Sequence, residues 1–290
     1  MTSTKPGEIK TWITSVIRDF CDGPENTLQN EARERAWAEP LVGFSRGDDP
    51  LYAAYKEHVG PFHWTPQEIF AQTFPGAKVE AGELTVVCWI LPQTSATKAD
   101  NRQETVHPAE RWARSRIYGE AFNAALRERV AQALNGSGYE AVAPFLSSDW
   151  ESVDSERFVY ASTWSERHAA YASGLGTFGL CDGLITPKGK AMRVGSVVAR
   201  FQATPTPRPY AHHQAYCLFS QGSCGECMAR CPVGAISKDG HDKRKCRVHL
   251  VRTEKYVRTR FGFEGYGCGL CQTGVPCESG VPEGIAFTID

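Results

Sequence analysis

The chain has 290 residues, 41% of them hydrophobic and 22% charged, with a formal net charge of -1. That length suits one substantial domain with a smaller one appended, and the near-neutral balance points away from a nucleic-acid or membrane-surface partner. No apolar run approaches ~20 residues, so no bilayer-spanning helix is expected. The first ten residues lack a charged start followed by an apolar stretch and a cleavage site, and lack a twin arginine, so a cytoplasmic location is expected.

The first predicted element is a helix, because Ile9, Trp12, Ile13, Val16, Ile17 and Phe20 form one apolar stripe at the 3.6-residue period. Cys21-Asp22-Gly23-Pro24 ends it, and Cys21 reads as a buried thiol on that stripe. Residues 26–76 are weakly patterned, with Asp48-Asp49-Pro50 and Trp64-Thr65-Pro66 as turn or helix-start punctuation. Residues 84–91 are almost continuously apolar, the pattern of a strand buried on both faces, with Cys88 inside it. Pro108 opens a long helix that Asn135-Gly136 stops. Residues 141–143 and 158–160 read as short strands, and strand alternating with helix implies an α/β or α+β core with a covered sheet.

Thr163-x-x-Glu166 matches a capping box for a helix over 164–173. Gly174-Leu175-Gly176-Thr177-Phe178-Gly179 then satisfies Gly-x-Gly-x-x-Gly. A dinucleotide fingerprint follows a strand and opens a helix, whereas these glycines close a helix and lead into the strand Leu184-Ile185-Thr186. They supply either a tight helix end or backbone bare enough to approach a flat ligand.

Residues 207–213 form a linker, and beyond it lie eight of the eleven cysteines: Cys217-x6-Cys224-x2-Cys227-x3-Cys231-Pro232, Cys246, and Cys268-x2-Cys271-x5-Cys277. Eight thiolates suffice for two [4Fe-4S] clusters, and the x2, x3 and Cys-Pro elements resemble the bacterial ferredoxin run with its first gap lengthened. In that run the fourth cysteine crosses to the other cluster. The resemblance therefore implies one set of Cys217, Cys224, Cys227 and Cys277 and another of Cys231, Cys246, Cys268 and Cys271. Cys-x2-Cys pairs also serve structural zinc, but a zinc ribbon has no use for a third cysteine at x3 followed by Pro.

Residues 164–176, Gly183-Leu184-Ile185-Thr186-Pro187 and Arg193-Val194-Gly195-Ser196-Val197, together with the cysteine region, resemble the cobalamin-dependent epoxyqueuosine reductases and reductive dehalogenases. The resemblance implies an α+β fold: a nitroreductase-like corrinoid-binding core over 1–208 and a ferredoxin-like domain with two [4Fe-4S] clusters over 209–290. It further implies base-off cobalamin, lying against Gly174, Leu175, Gly176 and Gly179, with Arg193 also at the cofactor. Tyr160 stands where epoxyqueuosine reductases carry an aspartate and is the expected proton donor; a phenol with an ordinary pKa of about 10 arrives protonated at neutral pH. Lys188, Arg193 and Arg200 are the candidate cations beside it.

Two departures limit the likeness: that aspartate is absent, and Phe122-Asn123 stands where a tyrosine–histidine pair is expected, which argues against transfer-RNA modification. The implied function is therefore reduction of a small organic substrate, with electrons passing from the two clusters to cob(II)alamin to give Co(I). Reduced ferredoxin or flavodoxin is the expected donor, meeting a basic helix over 243–257. The alternatives are a ferredoxin-type electron-transfer protein that reduces a partner's corrinoid or flavin, and a flavin in place of the corrinoid.

Overall fold

The computed structural model describes residues 6–285. Helix α1 (Pro6–Asp22) carries the expected stripe, with Ile9, Ile13, Ile17 and Cys21 all buried. After it come strand β1 (Leu41–Arg46) and two short helices, α2 (Pro50–His58) and α3 (Pro66–Thr73). Both helices begin with Pro just inside a side-chain cap, Asp49 for α2 and Thr65 for α3. The sequence marked these starts only as punctuation.

Strand β2 (Leu84–Pro92) is buried at every position. It pairs with β1 on one side and with β8 (Met192–Arg200) on the other, and β8 pairs in turn with β3 (Ala141–Val142). The sheet order is β1-β2-β8-β3 and every pairing is antiparallel. Burial on both faces here comes from helices laid on each side of an antiparallel sheet.

The alternation along β2 separates two cores. Val87, Trp89 and Leu91 pack with α1 and with α5 (Glu110–Gly136), through Phe122, Leu126, Val130 and Leu134. Val86, Cys88 and Ile90 pack on the opposite face with Tyr52, Tyr55, Ile69 and Phe70 from α2 and α3 and with Ala169 and Ala170 of α6 (Glu166–Ala172). Helix α4 (Ser95–Gln103), which no apolar stripe announces, bridges from this core towards the C-terminal region.

The predicted capping box does not form. Ser165 precedes α6, Thr163 Oγ1 accepts from the Glu151 amide at 3.2 Å, and the Glu166 carboxylate is taken up by Arg127 and Ser196. A buried guanidinium competes for that carboxylate more strongly than a free amide does.

Hairpin β4–β5 (Ser152–Ser155, Val159–Ser162) carries Tyr160 at the edge of the core. The small hairpin β6–β7 (Thr177–Phe178, Leu184–Ile185) follows the glycine segment. The cysteine region has little regular structure: the one-turn helix α7 (Glu226–Ala229), hairpin β9–β10 (Ile236–Ser237, Gly240–His241) and one long helix, α8 (Lys243–Phe261). Its apolar cluster mixes Tyr210, Tyr216, Cys217 and Cys227 with Leu180, Cys181 and Ile185, so the two parts of the chain pack directly on each other. No helix among the described residues is long and apolar enough to cross a membrane.

Candidate functional site

A cavity of about 690 Å³ lies between the sheet core and the cysteine region. Gln93, Trp112, Ser115, Arg116, Tyr160 and Arg193 line it from the core, and His241, Lys243, Cys246, Arg247, Tyr266 and Cys268 from the other side. Two of the eight cysteines thus share a cavity with the expected proton donor.

A chain of charges, buried at Arg127 and half-buried at Glu120 and Arg193, holds Arg193 there. Arg127 on α5 is 1% exposed; its Nε donates to Glu166 at 2.9 Å, its Nη1 to Glu120 at 3.1 Å and its Nη2 to the Val194 carbonyl at 2.9 Å. The other oxygen of Glu166 accepts from Ser196, and the other oxygen of Glu120 pairs with Arg193 at 3.4 Å. Burial pushes the Glu166 carboxyl above its usual range, against the pull of Arg127. Desolvation pushes the Arg193 guanidinium down to about 10, with the neighbouring Arg116 adding to this and Glu120 opposing it. Arg193 stays cationic at neutral pH.

Tyr160 faces the same space with the guanidinium of Arg247 over its ring at 4.9 Å, while Lys243 donates to its carbonyl at 3.2 Å. Both cations come from α8. Of the three cations expected beside Tyr160, only Arg193 lines the cavity: Lys188 pairs with Glu39, and Arg200 with Glu83 and Glu140. A second phenol, Tyr266, accepts a hydrogen bond from Arg116, whose guanidinium lies 4.7 Å from its ring centre. Sequence reading passed over it, since a tyrosine between glycines carries no signal of its own.

Gly174, Leu175, Gly176 and Gly179 do not line the cavity. Gly174 ends α6 at φ +76°, where a side chain would meet the Pro207 carbonyl at 2.4 Å. A side chain on Gly176 would meet the Ile185 carbonyl at 2.1 Å, Leu175 packs beneath β1, and Gly179 bonds back to Gly183. In this structure the glycines allow protein segments to approach one another.

Cys217, Cys224, Cys227 and Cys277 surround a second, smaller cavity together with Lys190. Cys268 lies near Cys246 and Cys231, and Cys271 is half-buried next to Cys268. Cys181, which has no spacing partner in the sequence, contacts the thiols of both Cys227 and Cys271. Among the described residues no three His, Cys, Asp or Glu side chains form a single-ion site.

No protein-family profile matches the chain. In sequence it is 26% identical over 170 residues to the epoxyqueuosine reductase of Bacillus anthracis, a match covering 57% of this chain and 40% of that protein. The matched segment therefore spans well under half the length of that curated relative. In fold it is similar to an epoxyqueuosine reductase in complex with an epoxyqueuosine-modified stem loop of tyrosine tRNA, at a TM-score of 0.52 and 18% identity, covering 98% of this chain and 68% of that one. It is also similar to a catabolic reductive dehalogenase in complex with 3-bromo-4-hydroxybenzoic acid, at a TM-score of 0.50 and 16% identity, covering 96% and 38%.

These findings correct one expectation. A small-molecule substrate with nucleic acid excluded does not stand beside a relative in fold that holds a tRNA stem loop. The net charge of -1 averages over the chain, whereas Arg116, Arg167, Arg193, Lys243 and Arg247 converge on one cavity, with Asp182 and Glu254 as the carboxylates of its lining among the described residues.

Proposed function

We propose that this chain, which is similar to epoxyqueuosine reductases in sequence and to both epoxyqueuosine reductases and a reductive dehalogenase in fold, is a cobalamin-type iron–sulfur reductase. The observation that carries the reading is the 690 Å³ cavity, where Cys246 and Cys268 face Tyr160 and Arg193 across one space. A ferredoxin-type electron carrier would have no use for a cleft of that size between its clusters and a sheet core.

The residues fit the groups that the reading needs. Cys217, Cys224, Cys227 and Cys277 would hold one [4Fe-4S] cluster around the smaller cavity, and Cys231, Cys246, Cys268 and Cys271 the second, next to the larger one. Base-off cobalamin would occupy the larger cavity, between the core over 1–208 and the cluster region over 209–290. Gln93 Oε1, buried and without a hydrogen-bond partner among the described residues, offers an acceptor to the amides at a corrin's edge. When bound, the clusters and the corrinoid supply single electrons at a strongly reducing potential.

The chain itself positions these groups, keeps competing reactions out and handles the proton. Tyr160 donates it, and Arg247 over its ring, with Lys243 beyond, stabilises the phenolate left behind. Arg193, braced by the Glu120–Arg127–Glu166 chain, fixes an anionic group of the bound cofactor or substrate. Five cations at one mouth favour a phosphate-bearing substrate, and an RNA loop is one.

Titrating the anaerobic, iron-loaded protein with cob(II)alamin tests the reading. Saturable binding that weakens in Arg193→Met supports it. Binding with no dependence on Arg193, or none at all, contradicts it. Tyr160→Phe is expected to lower turnover by about 10²–10⁴-fold while cobalamin binding and iron content stay unchanged.

A further inference from the structure

Lys190 is 3% exposed, yet its Nζ donates to the sulfur of Cys181 at 3.4 Å and forms no ion pair with a carboxylate among the described residues. The turn Thr186–Gly189 and a bond from the Lys190 amide to the Cys277 carbonyl, at 2.9 Å, fix its backbone. Cys277, Cys271 and Cys227 also lie close enough to act on its charge, and it lines the smaller cavity with Cys217, Cys224, Cys227 and Cys277. A buried ammonium is costly unless an anion faces it. Here the facing atoms are sulfurs, and a cubane bound by four thiolates is an anion that gains a further negative charge on reduction.

We propose that Lys190 is a positioning residue that selectively raises the reduction potential of the cluster held by Cys217, Cys224, Cys227 and Cys277. The proposal rests on the cluster assignment above. A cation in a dry site stabilises the more negative, reduced form, and the effect falls with distance. Lys190 faces two thiols of this set and one, Cys271, of the other. The charged neighbours of the other set are Arg230 beside Cys268 and His241 beside Cys246, the latter paired with Asp182. Because Cys246 and Cys268 border the large cavity, the cluster beside Lys190 is the outer one, and the ammonium makes it easier to load with an electron.

The test is an EPR-monitored redox titration of the reconstituted protein and its Lys190→Gln and Lys190→Arg variants. In Lys190→Gln one of the two cluster signals is expected to be at least tenfold less reduced at fixed ambient potential, about 59 mV for a one-electron couple. The second signal should shift much less, and Lys190→Arg should restore the first. Lys190→Met carries the same expectation if the glutamine variant fails to load iron. Unchanged potentials, or equal shifts of both signals, overturn the proposal while leaving the clusters in place. A wild-type protein that binds zinc instead of forming two clusters overturns the cluster assignment first, and the proposal with it.

Discussion

The sheet core and the cysteine region reach a folded state by different physics. In the core, β2 buries nine consecutive residues between two helical layers, and burial of apolar surface is the main source of its cohesion. In the cysteine region, regular structure is sparse apart from α8, and thiols are part of its apolar cluster: Cys217 and Cys227 are buried, with Cys231, Cys271 and Cys277 packed against them. On the proposed function, the first folds without a ligand and the second is organised around the clusters that its thiolates would hold.

The largest expected effect follows from that contrast. Removing iron with a chelator should abolish protection from amide exchange across residues 214–280 while the amides of β2 and β8 stay protected, because binding energy at thiolate sites is folding energy. Loss of protection in the sheet to the same extent would erase the distinction between the regions.

Next in size is Arg127→Met, inside the core. It leaves Glu166 buried without its guanidinium, and chemical denaturation should show a loss of about 3–5 kcal/mol. A loss below about 1 kcal/mol would mean that the Glu120–Arg127–Glu166 chain does not brace Arg193.

A smaller effect concerns pH. Burial lowers the pKa of His63, stacked on Trp164, and of His168, edge-on to Tyr55. With the folded values below the unfolded ~6.5, the unfolded chain binds more protons, so stability holds above that pH and falls beneath it. Both histidines therefore make stability fall as the pH drops below the unfolded value, and His63→Asn should make that fall shallower. Equal slopes in the variant and the wild type would remove His63 from the account.

Much of the architecture was legible because it is carried by local periodicity: the α1 stripe, the apolar run of β2 and the α5 boundaries. The cysteine spacings likewise singled out eight residues. What sequence reading missed depends on contacts between distant segments. Cys181 has no spacing partner in the sequence, and only the fold sets it against Cys227 and Cys271. Arg247, over the Tyr160 ring, comes from a helix in the other region, and Glu166 passed for a helix cap because its true partner, Arg127, lies 39 residues earlier.

The most direct test of the central claim is an anaerobic EPR spectrum of the iron-loaded protein with cobalamin, recorded before and after reduction. The account predicts a base-off Co(II) signal beside two [4Fe-4S] signals, with the cobalt signal lost on further reduction. Two cluster signals with a cobalt signal identical to that of free cobalamin would contradict it.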